Sequence, residues 1–157
     1  MTASLVGQLA PDFTLRDNHG TPVTLSELRG KNVLLVFFPF AFSGICTGEL
    51  CELRDNLALF EDADVTLLAI SCDPMFAQKA WAEQENYEFS FLSDFWPHGE
   101  VAQQYGVFDT ENGLAVRGSF LLDASGTVRW SVINQRGQAR DFAGYRQALA
   151  ELTAHAS

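Results

Sequence analysis

The chain has 157 residues, 47% of them hydrophobic and 12% aromatic, which suits a compact domain with a sizeable core and is too apolar for a disordered chain. Twenty acidic residues against ten basic ones give a formal net charge of −10, which argues against general binding to nucleic acid or to an anionic membrane, since both need a basic face. No apolar run is long enough to span a bilayer, and the start, MTASLVGQLAPDF, has neither a basic nor an apolar leader segment, so the expectation is a single domain over residues 1–157 in the cytoplasm.

Residues 10–15 (APDFTL) alternate apolar and polar residues and predict a short strand. A turn at Asp17-Asn18-His19-Gly20 separates it from a second short strand over residues 21–25, which makes an N-terminal hairpin. Residues 26–30 (SELRG) have the composition of one capped helical turn ended by glycine. Residues 33–38 (VLLVFF) are a continuous β-branched and aromatic run, the pattern of a central strand covered on both faces.

A helix is predicted over residues 44–60, with Leu50, Leu53, Leu57 and Phe60 as its apolar stripe. Cys46 lies four positions before Leu50 and shares that stripe, whereas Cys51 falls on another face beside Arg54 and Asp55. Residues 65–71 form a second buried strand. A helix follows from Asp73-Pro74 to about Tyr87, with Phe76, Ala80 and Trp81 as candidate core contacts. A short strand at 89–92, a turn at Trp96-Pro97-His98-Gly99 and a short helix at 100–105 come next. Residues 119–123 and 127–133 flank Ala124-Ser125-Gly126 as a β-hairpin, and an amphipathic helix over 142–153 closes the chain. The order, β-hairpin then βαβα then ββα, predicts an α/β thioredoxin-like fold: a central mixed sheet with helices on both faces and an N-terminal β-hairpin extension.

The three cysteines are Cys46, Cys51 and Cys72. None forms a Cys-x-x-Cys pair, and no Cys/His cluster has the spacing of a zinc site, so neither a metal nor a cofactor is expected. Taken alone, Cys46 reads as a small buried hydrophobe, as Cys72 does at the end of its strand. The context of Cys46 is more specific. A thiolate is the nucleophilic form of cysteine, and helix N-terminal N–H groups and nearby cations favour it. Ser43 stands where it can cap the helix and where its hydroxyl can face the sulfur. Pro39 has no N–H, ends the strand, and can shield the thiolate from water. The N–H groups near Ile45 and Cys46 can receive developing negative charge.

Pro39-Phe40-Ala41-Phe42-Ser43-Gly44-Ile45-Cys46 fits P-x-x-x-[ST]-x-x-C, and it follows an apolar strand and opens a helix. This resembles the active-site signature of peroxiredoxins, thiol peroxidases on a thioredoxin fold. APDFTLRD, FLSDFWPHG, YGVF and RGSFLLD extend the likeness over nearly the whole chain, and FWPHG points to the AhpE-type subgroup of actinobacteria. The resemblance implies reduction of hydrogen peroxide and organic hydroperoxides through a sulfenic acid on Cys46. It supplies Arg117 as the cation on thiolate and peroxide, and it gives Glu49 the task of orienting an arginine; the plainer reading of Glu49 is a favourable charge near a helix N-terminus. It also places the turn of Trp96 and His98 near the substrate pocket. Phe40 and Phe42 are read as pocket lining, a dimer contact or core packing. A homodimer and a thiol reductant are implied, the latter a thioredoxin, a glutaredoxin- or mycoredoxin-like protein, or a low-molecular-weight thiol.

Cys51 is the candidate resolving thiol. Five residues of helix separate two Cα atoms by about 7.5 Å of rise and roughly 140° of rotation, farther than the ~7 Å a disulfide allows. A Cys46–Cys51 bond therefore requires the start of the helix to unwind. The alternative is a one-cysteine cycle resolved by an external thiol. Two further readings are a thioredoxin-like exchange protein, which would want Cys-x-x-Cys, and a non-enzymatic redox sensor.

Overall fold

The computed structural model describes residues 5–134 and 138–155. Seven strands form one mixed sheet in the order β2 (Pro22–Thr24), β1 (Thr14–Asp17), β5 (Ser90–Ser93), β4 (Val65–Ser71), β3 (Asn32–Phe37), β8 (Arg117–Leu122) and β9 (Val128–Asn134). Its centre is β3 (Asn32–Phe37) and β4 (Val65–Ser71), two β-branched and aliphatic runs paired in parallel from Asn32↔Val65 to Phe37↔Ile70. The crossover between them is α1 (Gly44–Asp55) and α2 (Leu57–Asp62). On the other side of β3 lies β8 (Arg117–Leu122), antiparallel, and β9 (Val128–Asn134) follows it across a turn at Gly126. β5 (Ser90–Ser93) extends β4 in parallel, and the N-terminal hairpin of β1 (Thr14–Asp17) and β2 (Pro22–Thr24) adds to the β5 edge.

Strand periodicity splits the core. Leu34, Val36 and Phe38 point to the face covered by α1, α2, α3 (Met75–Glu85) and α5 (Phe142–His155). Val33, Leu35 and Phe37 point to the other face, where Phe13, Leu25 and α4 (Glu100–Gln104) pack. The central strands β3 and β4 are thus buried on both sides, as their unbroken apolar runs require.

Several expectations change. The first strand begins at Thr14 rather than Ala10, because Pro11 offers no N–H and Asp12 Oδ1 draws the N–H groups of Phe13 (3.0 Å) and Ser26 (2.9 Å) into a local turn. Ser26 does not cap because it lies inside the turn: Leu25–Leu28 is a 3₁₀ turn entered from Thr24. The long helix after Cys46 breaks at Asn56, whose side chain donates to the Glu52 carbonyl (2.8 Å) and ends α1 there. In α3 the inward positions belong to Gln78, Trp81 and Ala82. Phe76 is 74% exposed and Ala80 is also exposed, contrary to the reading of both as core contacts. Gln78 takes its inward place because its amide bonds Ser71 Oγ and the Leu92 carbonyl, both at 2.9 Å. A two-residue hairpin, β6 (Phe108–Asp109) with β7 (Leu114–Ala115), was too short for a pattern to show.

Candidate active site

β3 ends against β4 with the Phe38 N–H on the Ile70 carbonyl (3.0 Å), and buried Pro39 then stops the ladder. The next residues swing out to reach α1. Phe42 has φ = +70°, a conformation that a bulky side chain rarely adopts. Asp73 secures this loop: its Oδ2 accepts from the Ala41 N–H (2.8 Å) and from Ser71 Oγ (2.7 Å). Ser43 is the N-cap of α1 by its extended backbone, and its carbonyl accepts from the Thr47 N–H at 2.8 Å. Its hydroxyl makes no capping bond, contrary to the capping expectation. Cys46 follows in that first turn, fully buried, where helix N–H groups lack intrahelical acceptors.

The register of β8 on β3 brings the cation. Phe37 pairs with Gly118, so Arg117 stands one position beyond the end of β3, level with the entry to α1. Arg117 is inside β8 rather than just before a strand. Gly118 allows this approach, since a Cβ there would lie 2.7 Å from Val107 Cγ1. Arg117 Nη1 donates to Cys46 Sγ at 3.2 Å and to Glu49 Oε1 at 2.5 Å.

A second arginine completes the cluster. Arg140, just ahead of α5, donates to Glu49 through its main-chain N–H (2.6 Å), Nε (3.0 Å) and Nη2 (3.0 Å). Its Nη1 donates to the carbonyls of Phe37 (2.7 Å) and Gly118 (3.1 Å) and to Ser119 Oγ (3.0 Å). Arg140 thereby ties the ends of β3 and β8 to the helix that carries Cys46. Sequence reading missed it: Gln138-Ala139-Arg140 matches no motif, and the only hint is a cation next to a helix start, where cations are disfavoured. Burial works to raise the Glu49 carboxyl, but the hydrogen bonds and charge of Arg140, and then the charge of Arg117, outweigh it and hold Glu49 below its ordinary value. In this cluster two buried guanidiniums share one carboxylate.

The remaining candidates separate. Cys51 is half-buried on another face of α1, as expected, and its sulfur meets Tyr87 OH at 3.5 Å and Glu85 Oε2 at 3.6 Å. Cys72 is buried, and burial, with the nearby charges of Asp94 and Asp73, pushes its thiol up to about 12. Phe40 and Phe42 are 47% and 50% exposed, so simple core packing does not describe them, although the Phe42 ring lies 6.2 Å from that of Trp81. Trp96 is exposed and borders a groove of about 630 Å³ with Arg16, Pro74, Phe76 and Phe95. His98 bridges the carbonyls of Phe95 (3.0 Å) and Gly113 (2.6 Å). The hydrogen bonds of His98 join loops to one another rather than to Cys46. Among the described residues no group of His, Cys, Asp or Glu side chains is placed to hold a metal ion, and no helix is long and apolar enough to cross a membrane.

Residues 6–131 match the family model described as AhpC/TSA. The chain is 55% identical over 150 residues to alkyl hydroperoxide reductase E of Mycobacterium tuberculosis, covering 95% of this chain and 98% of that one. Among solved structures, peroxidoxin BcpB from Mycobacterium tuberculosis superposes with a TM-score of 0.82 at 34% identity, covering 95% and 96% of the two chains. Enterococcus faecalis AhpC superposes with a TM-score of 0.86 at 27% identity, covering 98% and 93%.

Proposed function

The chain belongs to the AhpC/TSA family of peroxiredoxins, thiol-dependent peroxidases, and within that activity we propose that Cys46 is the sulfur that attacks the peroxide. The observation that carries this is the Arg117 Nη1 contact with Cys46 Sγ at 3.2 Å, inside a buried cluster where two guanidiniums meet the Glu49 carboxylate. The thiolate attacks the terminal oxygen of ROOH. The S–O bond forms, the O–O bond breaks, and the alkoxide leaves to take up a proton. Arg117 and the first N–H groups of α1 stabilise charge on the separating oxygens. Glu49 and Arg140 fix the angle of Arg117, Pro39 keeps water off the sulfur, and the Ser43 hydroxyl is available to the bound peroxide. Cys46 is fully buried, so the 39–43 loop yields to admit substrate; exposed Phe40, Phe42 and Ile45 give that entrance an apolar rim suited to organic hydroperoxides as well as hydrogen peroxide.

The Cys46 sulfenic acid is resolved by Cys51 after the first turns of α1 unwind, and an external thiol then reduces the disulfide: a thioredoxin, a glutaredoxin- or mycoredoxin-like protein, or a low-molecular-weight thiol. The enzyme works as a cytoplasmic homodimer. Stopped-flow tryptophan fluorescence with hydrogen peroxide and an organic hydroperoxide tests the nucleophile, with Trp81 beside Phe42 as a reporter. A fast second-order phase absent in Cys46→Ser is expected; a rate no faster than that of free cysteine, unchanged in Cys46→Ser and Arg117→Ala, overturns the assignment. Intact mass after one equivalent of peroxide tests resolution: loss of two hydrogens in the wild type and none in Cys51→Ser.

A further inference from the structure

Cys51 is clasped to the far side of α1 by the end of α3 and the residues after it. Tyr87 is 7% exposed, and its ring packs among those of Trp81, Phe89 and Phe91, with centroids 5.2, 5.3 and 5.7 Å away. From this aromatic block its hydroxyl reaches α1, donating to the Thr47 carbonyl at 3.4 Å and meeting Cys51 Sγ at 3.5 Å. The Cys51 S–H reaches Glu85 Oε2 at 3.6 Å. Glu85 is held in turn by Arg54, whose Nη1 donates to its main-chain carbonyl at 2.6 Å and lies 3.7 Å from its carboxylate.

Position along the helix gives this arrangement its meaning. In an α-helix the carbonyl of Thr47 accepts from the N–H of Cys51, four residues on. That rung lies inside the segment that must open for the two sulfurs to meet. One phenol therefore touches both ends of the rung, from a post that stays packed when α1 opens. The Tyr87–Thr47 contact, at 3.4 Å, is long for an O–H···O hydrogen bond and suits a catch that releases.

We infer that Tyr87, backed by Glu85 and Arg54, is a positioning residue that governs how readily Cys51 leaves α1, and so how the Cys46 sulfenic acid divides between disulfide and further oxidation. This rests on the reading that Cys51 resolves Cys46. In resolution the Cys51 sulfur bonds to Cys46, the S–OH bond breaks, and the hydroxide leaves with the Cys51 proton as water. In the competing step a second hydroperoxide transfers one oxygen to the sulfenic acid, giving a sulfinic acid and an alcohol without any part for Cys51. The clasp slows the first step alone.

Tyr87→Phe removes the hydroxyl and keeps the ring. After one equivalent of hydrogen peroxide, rapid quench and intact mass should show disulfide forming about fivefold faster, the effect of one net hydrogen bond. The peroxide concentration that gives half sulfinic acid should rise in step, the rate of the first oxidation should not change, and amide exchange over residues 44–51 should quicken in the reduced protein. Unchanged disulfide rate and partition, in a protein whose wild type loses two hydrogens and whose Cys51→Ser variant does not, overturns the clasp and leaves resolution by Cys51 standing. A wild type that loses no hydrogens marks failure of the resolution reading itself, and the partitioning claim falls with it.

Discussion

On one face of α1, Cys46 lies against Arg117, Glu49 and Arg140, a buried set of full charges joined by contacts of 2.5–3.2 Å. On another face, five residues later, Cys51 lies against a phenol and a carboxylate at 3.5 and 3.6 Å, half open to solvent. The first environment is buried and ionic; the second is partly exposed and holds its sulfur by a phenol and a single carboxylate. The contrast teaches that one helix can hold a reactive sulfur in a fixed field and still offer a second sulfur for release, because residues on different faces answer to different neighbours.

The strongest way to break this contrast is to remove its charged side. Arg117→Ala should lower the second-order rate of peroxide reduction about 10²–10³-fold, the usual effect of losing one preorganised donor to developing charge. Stopped-flow fluorescence checks this, and Glu85→Gln on the other face should leave that rate unchanged. Arg140→Ala should destabilise the fold by about 3 kcal/mol, since it strips a buried partner from Glu49 and leaves the Phe37 and Gly118 carbonyls without their donor. Urea unfolding of the reduced protein measures that loss.

A gentler change sharpens the same side. Glu49 is held below its ordinary value of 4.5, so the stability it contributes is complete above that value and is lost as the pH falls through the lower, folded one. Glu49→Gln should flatten this part of an acid-unfolding curve, and an unchanged curve would show that the carboxylate is not the linked group. Asp73→Ala frees the Ala41 N–H and should raise KM for organic hydroperoxides more than it lowers kcat, because it loosens the 39–43 loop but leaves the Arg117–Cys46 contact in place. The smallest signal is a difference among thiols. With its thiol pushed up to about 12, Cys72 stays protonated at pH 8 and should take up no iodoacetamide while Cys46 is modified, as peptide mapping would reveal.

Much of the fold was legible because its strongest signals are local. Residues 33–38 and 65–71 are apolar runs without interruption and became the paired central strands, nearly to the residue. The misreadings fall where a side chain competes for the backbone or where helix phase is subtle. Asp12 delays the start of β1 and Asn56 ends α1 by taking main-chain partners, and Gln78 claims an inward position through two hydrogen bonds that no hydrophobic pattern can register.

The sequence by itself determined the presentation of Cys46. A strand that stops at a proline and a helix that opens at a serine lie within eight residues, so short-range backbone geometry delivers the sulfur to a helix N-terminus. Family likeness could add Arg117, but nothing between residues 46 and 117 encodes their meeting. Arg140 left only the hint of a cation beside a helix start, and Tyr87 had no signal. Arg117 reaches Cys46 across 71 positions and Arg140 reaches Glu49 across 91, through the register of β8 on β3 and the packing of α5. Charge balance around Cys46 and the grip on Cys51 depend on distances in space, and only the closed tertiary structure sets those.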